Sequence, residues 1–438
     1  MMIKINLFNI SAKFIFFLYL IVAFFNRSFI GIIFFNYRVG EYIVLCGFIF
    51  SLLICIFGIP RFVNQKLITF YRLIIISFLL SAIFNNANFL NTYTFKSSSY
   101  IWMMSYFFIG SLFRGYEIKT KIPAYVIGLI TLLSFIFSTG NYPNFIIDFF
   151  IDYSDKFQFT KASDSFMLIV AASLFINWTI KDNFYKTFFI YFISFLYLPL
   201  LLFQSRGSFV GIILFLIIES FYFRKYIFSN LKRLSFIIII AIIGSILGIY
   251  RISNVEVSKI SEEPVVVLTE TTTKVIENKD TVDTLFSFYS SDGRIYSTDP
   301  TANWRLDIWQ DILEDLELKN KMLIGYGYNE IIPVMVDGSA PGRLGKDGLN
   351  ENVHNYFFTI ISRGGLIQLL IFIFFYYHLL QDWIFKMSNK RLLSYLIPVF
   401  FVSSLDITMD GVHFPFIFFL TLGYILNTDY TKRYEIRI

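Results

Sequence analysis

The chain has 438 residues, of which 56% are hydrophobic and only 16% charged, whereas a soluble domain carries about one quarter charged residues. That composition excludes an ordinary soluble domain. The net charge of +6 is explained by basic residues placed between apolar runs, the pattern of membrane insertion, and not by nucleic-acid binding.

Runs such as 188–203 and 234–250 carry no charge and approach the ~20 residues a helix needs to cross a bilayer. Helices are the expected form, because backbone amides in hydrocarbon must be paired within their own segment. In chain order the pattern predicts about twelve spans, at 12–35, 40–59, 67–88, 98–115, 122–139, 163–180, 186–204, 207–223, 234–250, 354–380, 391–406 and 413–427. Lys4 and Lys13 precede the first run without a small-residue cleavage site, so it reads as a retained span. Cys46 and Cys55 share the second span and lie too far apart on one helix to bridge each other. No Cys or His cluster has metal-ligand spacing.

With the N-terminus in the cytoplasm, the short segments on the opposite side hold only Arg27, Arg38, Lys96, Lys156, Lys161 and Arg206, and most other basic residues between spans fall on the cytoplasmic side. That is the positive-inside bias. The expectation is an all-α polytopic membrane protein. Residues 1–250 form the first nine spans, 251–353 a large periplasmic loop with short helices and a candidate hairpin, and 354–438 the last three spans and a cytoplasmic tail.

Ser205-Arg206-Gly207 stands between two apolar runs with almost no loop. A cation at that depth needs a partner. A phosphate fits the guanidinium fork, and so does an aspartate from another helix such as Asp406 or Asp410. Within the long loop, 262–276 mixes β-branched and polar residues and predicts a strand or hairpin. A turn follows around 290–294. Next, 303–318 reads as an amphipathic helix with Ile308, Trp309, Ile312 and Leu316 on one stripe and Asp307, Asp311 and Asp315 away from it. Arg305 falls on the apolar side and would point into the membrane opening. A snorkelling or salt-bridged arginine is the plainer reading.

Leu323 to Tyr328 forms a tight apolar turn, and the Gly-rich 337–348 a mobile connector or gate. His354 is expected in the first turn of the re-entering helix, with Gly365 near the same face leaving room below it for a chain or neighbouring helix. An interfacial histidine bonded to solvent or a backbone carbonyl has the same pattern. Arg363 lies about half a turn round from His354. His378 and His413 read as structural.

Three motifs in this order resemble the O-antigen ligase and O-antigen polymerase superfamily of bacterial membrane glycosyltransferases. They are Ser205-Arg206-Gly207, Arg305…Trp309 with Gly325-Tyr326-Gly327, and His354-Asn355 followed after nine residues by Gly365. Gln368 departs from the small or hydroxyl residue usual there. The resemblance implies an inner-membrane enzyme with no nucleotide, no obligatory metal and no cofactor. The donor would be a glycan on undecaprenyl diphosphate. The acceptor would be a second lipid-linked glycan for a polymerase, the favoured reading, or lipid A core for a ligase. A chain-length regulator is a further partner to expect, and nucleic acid is not. On this reading Arg206, Arg305 and His354 are catalytic, while Asn355, Trp309, Tyr326, Gly365 and Arg363 contact substrate. Trp309 and Tyr326 suit either sugar stacking or core packing. A lipid-linked oligosaccharide transporter is the remaining alternative; it would place charge near the midplane, often in repeated halves.

Overall fold

The computed structural model describes residues 2–59, 64–89, 91–112, 122–138, 142–156, 160–253, 287–340, 342–345, 348, 350–381, 384 and 391–434. The chain is an all-α membrane protein: helices dominate, and the described strands form only two small hairpins. The helices are α1 (Met2–Ile30), α2 (Val39–Phe57), α3 (Gln65–Phe84), α4 (Thr92–Ser97), α5 (Ser99–Met103), α6 (Ser105–Leu112), α7 (Ile122–Phe137) and α8 (Asn144–Tyr153), followed by α9 (Ala162–Thr179), α10 (Asn183–Gln204), α11 (Arg206–Ile227), α12 (Leu231–Ser253), α13 (Pro300–Leu318), α14 (Tyr356–Gln381), α15 (Leu392–Ser403) and α16 (His413–Tyr434).

Among the described residues, eight helices are long and apolar enough to cross a membrane, and shorter apolar helices lie at Ala124–Phe137, Leu392–Ser403 and His413–Ile425. The span expected at 98–115 is divided into α5 and α6. Around Met104 the hydrogen bonds tighten to three-residue spacing, with Met104 N to Ile101 O at 3.2 Å and Phe107 N to Met104 O at 3.1 Å. Apolar side chains on α12, among them Ile239, Ile242, Ile246 and Ile249, face outward. In water such a patch would be costly; against hydrocarbon it costs nothing.

The bundle is held by close backbone approach. Gly244 and Gly248 on α12 sit against the backbone of Leu196 on α10, the small-residue spacing that lets membrane helices meet. Gly110 on α6 and Gly423 on α16 do the same for that pair. The polar stretch between α12 and α14 is described from residue 287. It holds a hairpin of β3 (Phe288–Ser291) and β4 (Arg294–Ser297), then α13, then a short 3-10 turn at Pro333–Val336. The hairpin turns on Asp292 and Gly293, both at positive φ. The strand expected at 262–276 lies outside the described residues.

Helix α14 breaks at Gly365, where φ is 72°. Met322 and the Leu323–Tyr328 turn fill the break and take over the lost ladder bonds. Ser362 O and Arg363 O accept from Tyr326 N at 2.7 Å and Gly327 N at 3.0 Å. Leu366 N and Ile367 N donate to Met322 O at 2.9 Å and Leu323 O at 3.3 Å. In hydrocarbon a freed backbone group costs several kcal/mol unless it is paired again. The space expected beside Gly365 therefore holds this turn, since a Cβ there would collide with the backbone of Leu323 and Ile324. Gly365→Val is expected to lower stability by about 1–3 kcal/mol, read as an earlier thermal unfolding transition in detergent. Gly338→Ala, with nothing near its Cβ position, should stay within about 0.5 kcal/mol of wild type.

Candidate active site

Arg206, Arg305 and His354 lie at one end of the bundle, where α10 ends and α11, α14 and α16 begin. Ser205 caps α11, and Arg206 in its first turn forms an ion pair with Asp299. That partner comes from the polar stretch, whereas the sequence reading offered a phosphate or an aspartate such as Asp406 or Asp410. The same carboxylate caps α13, accepting from Ala302 N at 2.7 Å. Asp299 thus ties the start of α11 to the start of α13.

Helix α13 cannot rotate. Ile308, Ile312 and Leu316 are fully buried on one side, as their spacing predicts. On the other side Arg294 donates to Asp311 at 2.5 Å and to Asp307 at 3.3 Å, while the buried Arg343 donates to Asp307 at 2.6 Å and also binds Asp311. The Gly-rich segment expected to be a mobile connector is therefore anchored on α13 through Arg343. With both faces held, Arg305 is aimed into the bundle end. Its Nε is buried with no hydrogen-bond partner. Burial opposes its charge, while Asp406 and Asp299 in electrostatic reach favour it.

His354 stands just outside α14, not in its first turn. Its φ is 55°, a left-handed conformation that histidine adopts more readily than most residues. Asn355 is the cap: its Oδ1 accepts from Phe357 N at 2.9 Å and Phe358 N at 3.2 Å, and its Nδ2 donates to Ser404 O at 3.0 Å. Trp309 Nε1 donates to Val353 O at 2.7 Å, and its ring stacks on Phe358. Trp304 meets the His354 ring edge to face at 5.3 Å. Asn350 contacts His354 Nε2 at 2.9 Å, and Nδ1 is buried without a partner. The imidazole pKa is pushed down to about 3, first by burial and then by Arg305, Lys161 and Arg27.

The contacts of the other residues named from sequence are structural in kind. The buried Arg363 donates to Gly327 O at 3.3 Å, Glu330 O at 2.5 Å and the Tyr93 hydroxyl at 3.0 Å, so it fastens the inserted turn. The buried Tyr326 donates to Asp315 at 2.6 Å. Gln368 accepts from Tyr100 at 2.9 Å and Tyr328 at 2.6 Å and donates to Ser77 at 3.2 Å. The departure from the motif thus has its own polar cluster.

His413 is paired with Asp164 at 2.7 Å, and His378 stacks on Phe70. Sequence reasoning did not single out Asp299, Trp304 or Asn350, and named Asp406 only as a candidate partner of Arg206. The Asp299-Pro300 start of a helix carries a cap signal, and Trp304 is Arg305's chain neighbour. Asn350 carries no local signal.

A family model described as O-antigen ligase matches residues 189–373, a segment that contains all three motifs. Comparison with curated proteins finds no match. The family match supports the O-antigen ligase and polymerase superfamily as the family of this chain.

Proposed function

We propose that the protein is an inner-membrane glycosyltransferase that moves a glycan from undecaprenyl diphosphate to a sugar hydroxyl on the periplasmic side, with both termini in the cytoplasm. The observation that carries this reading is the gathering of Arg206, Arg305 and His354 at one bundle end, with Arg305 and Arg206 joined through Asp299 and His354 beside Arg305. The basic-residue distribution supports the orientation.

The reaction follows from the groups present. His354 takes the proton of the acceptor hydroxyl at Nε2 as its oxygen attacks the anomeric carbon. In the structure the Asn350 amide Nδ2 lies 2.9 Å from Nε2 and donates to it, so Nε2 holds the ring lone pair, Nδ1 carries the ring hydrogen, and the acceptor hydroxyl takes the place of that amide. The bond between the anomeric carbon and the diphosphate oxygen breaks, and its electron pair leaves on the lipid diphosphate. Arg206 and Arg305 stabilise the developing charge. Single displacement inverts the anomeric centre. Asn355, Trp309, Arg363 and Gly365 hold the elements that carry His354.

The acceptor separates two readings. A second lipid-linked repeat makes the enzyme a polymerase, the reading taken from sequence. Lipid A core makes it a ligase, the reading favoured by the description of the matching family. Lipid-linked repeats incubated with the purified protein should lengthen without lipid A core if it polymerises, and should transfer only in its presence if it ligates.

In that assay His354→Ala should lower kcat by about 10²–10⁴, and Arg206→Ala or Arg305→Ala by about 10²–10³. Near-wild-type turnover in all three would defeat the assignment. A base works deprotonated, so activity falls only as pH drops through its pKa. With His354 held to about 3, kcat/KM should lose nothing to this group from pH 8 down to pH 5. Arg305→Gln removes one cation that lowers that pKa, so the residual kcat/KM should begin to fall at a higher pH than in wild type.

A further inference from the structure

Three cations lie in electrostatic reach of His354: Arg305, Lys161 and Arg27. Two of them come from elements with no part in the three motifs. Arg27 follows the break in α1 at Asn26, where φ is 47°. Its segment is fixed by Ser154, whose hydroxyl donates to Ser28 O at 2.7 Å, and by Asp155 N, which donates to Gly31 O at 3.2 Å. Lys161 is the residue before α9, and its carbonyl accepts from Asp164 N at 3.1 Å and Ser165 N at 3.0 Å. Lys161 and Arg27 are themselves in electrostatic reach of each other.

Like charges brought together at low exposure repel, so such a cluster needs an anion. The nearby carboxylates are mostly engaged. Asp164 is paired with His413 and Asp299 with Arg206. Asp406 alone lies within reach of both Lys161 and Arg305, and its described hydrogen bond is from its own neighbour, Ile407 N. The Nε atoms of Arg27 and Arg305 are both buried with no hydrogen-bond partner. Asp164 is also within reach of Arg27 and Lys161, and Asp299 of Arg305, so three carboxylates stand against the four cations Arg27, Lys161, Arg206 and Arg305 and leave an excess of positive charge.

We propose that Arg27 and Lys161 complete the anion site with Arg206 and Arg305, making a four-cation cradle that selects a diphosphate over a monophosphate. This rests on the glycosyltransferase reading and adds two binding residues to it. A lipid diphosphate carries more charge, spread over two phosphorus centres, than any single arginine pair neutralises. Guanidinium forks and an ammonium on separate helices match that spread. The two residues act on binding and on the leaving group, and no proton moves through them.

The test uses the full chain in lipid nanodiscs, with a short-chain polyprenyl diphosphate and the matching monophosphate as probes in calorimetric titration. Wild type should bind the diphosphate at least about tenfold more tightly than the monophosphate, a gap of about 1.4 kcal/mol. Arg27→Gln and Lys161→Gln should each remove most of that preference while monophosphate binding stays near wild type, which also reports an intact fold. Arg27→Lys and Lys161→Arg should keep it. Unchanged preference in both glutamine variants, with binding lost in Arg206→Gln and Arg305→Gln, overturns the cradle and leaves the donor reading standing. Unchanged binding in all four glutamine variants overturns both.

Discussion

The constraint on which this structure depends is the pairing of backbone groups where α14 is broken. A membrane helix cannot leave amides and carbonyls unpaired, and the break at Gly365 frees four of them. Met322 and the turn that follows it supply the replacements one for one. Ser81 adds to the joint, its hydroxyl 2.7 Å from Ile324 O and 2.9 Å from Arg363 O, and Asn85 donates to Gly325 O at 3.2 Å. The polar stretch is thereby locked to the membrane helices on its C-terminal side, and Asp299 with Arg206 locks it on the other. Between these two anchors lies α13, which carries Arg305 and Trp304 to His354.

That arrangement joins the motifs into one physical device. Gly325, at φ of 70°, and Gly365, at 72°, are required because the turn and the break share a space that side chains would fill, while Gly327, at 87°, leaves room for the Asn85 side chain. Asn355 caps the helix that follows His354, and Trp309 holds the carbonyl just before it. The histidine is therefore fixed from both sides in a strained backbone conformation, a form of strain that gathers at functional sites.

Much of this was legible in the sequence. Eight of the expected spans were legible as apolar runs and are described as helices long and apolar enough to cross a membrane, and the buried stripe of α13 was legible from its spacing. The three motif residues were visible because a cation or an imidazole at a membrane boundary has few structural uses. The division of the 98–115 segment at Met104 was not legible, since its residues are uniformly apolar. Nor was the partner of Arg206: Asp299 lies far along the chain, and only the folded polar stretch brings it near. Arg27 and Lys161 entered the sequence reading only as exceptions to a charge count. Their proximity to His354 depends on how α1 and α9 pack. Arg343 looked like part of a loose connector because two aspartates on a different element bury it.

The central claim is that the diphosphate of a lipid-linked glycan sits among these cations with its anomeric carbon turned to His354. A cryo-electron microscopy structure of the protein with bound undecaprenyl-diphosphate glycan tests it most directly. The account predicts phosphate density in hydrogen-bond reach of Arg206 and Arg305, with the first sugar beside the His354 imidazole. Phosphate density at the opposite end of the bundle, beside Arg391 and Lys186, would contradict it.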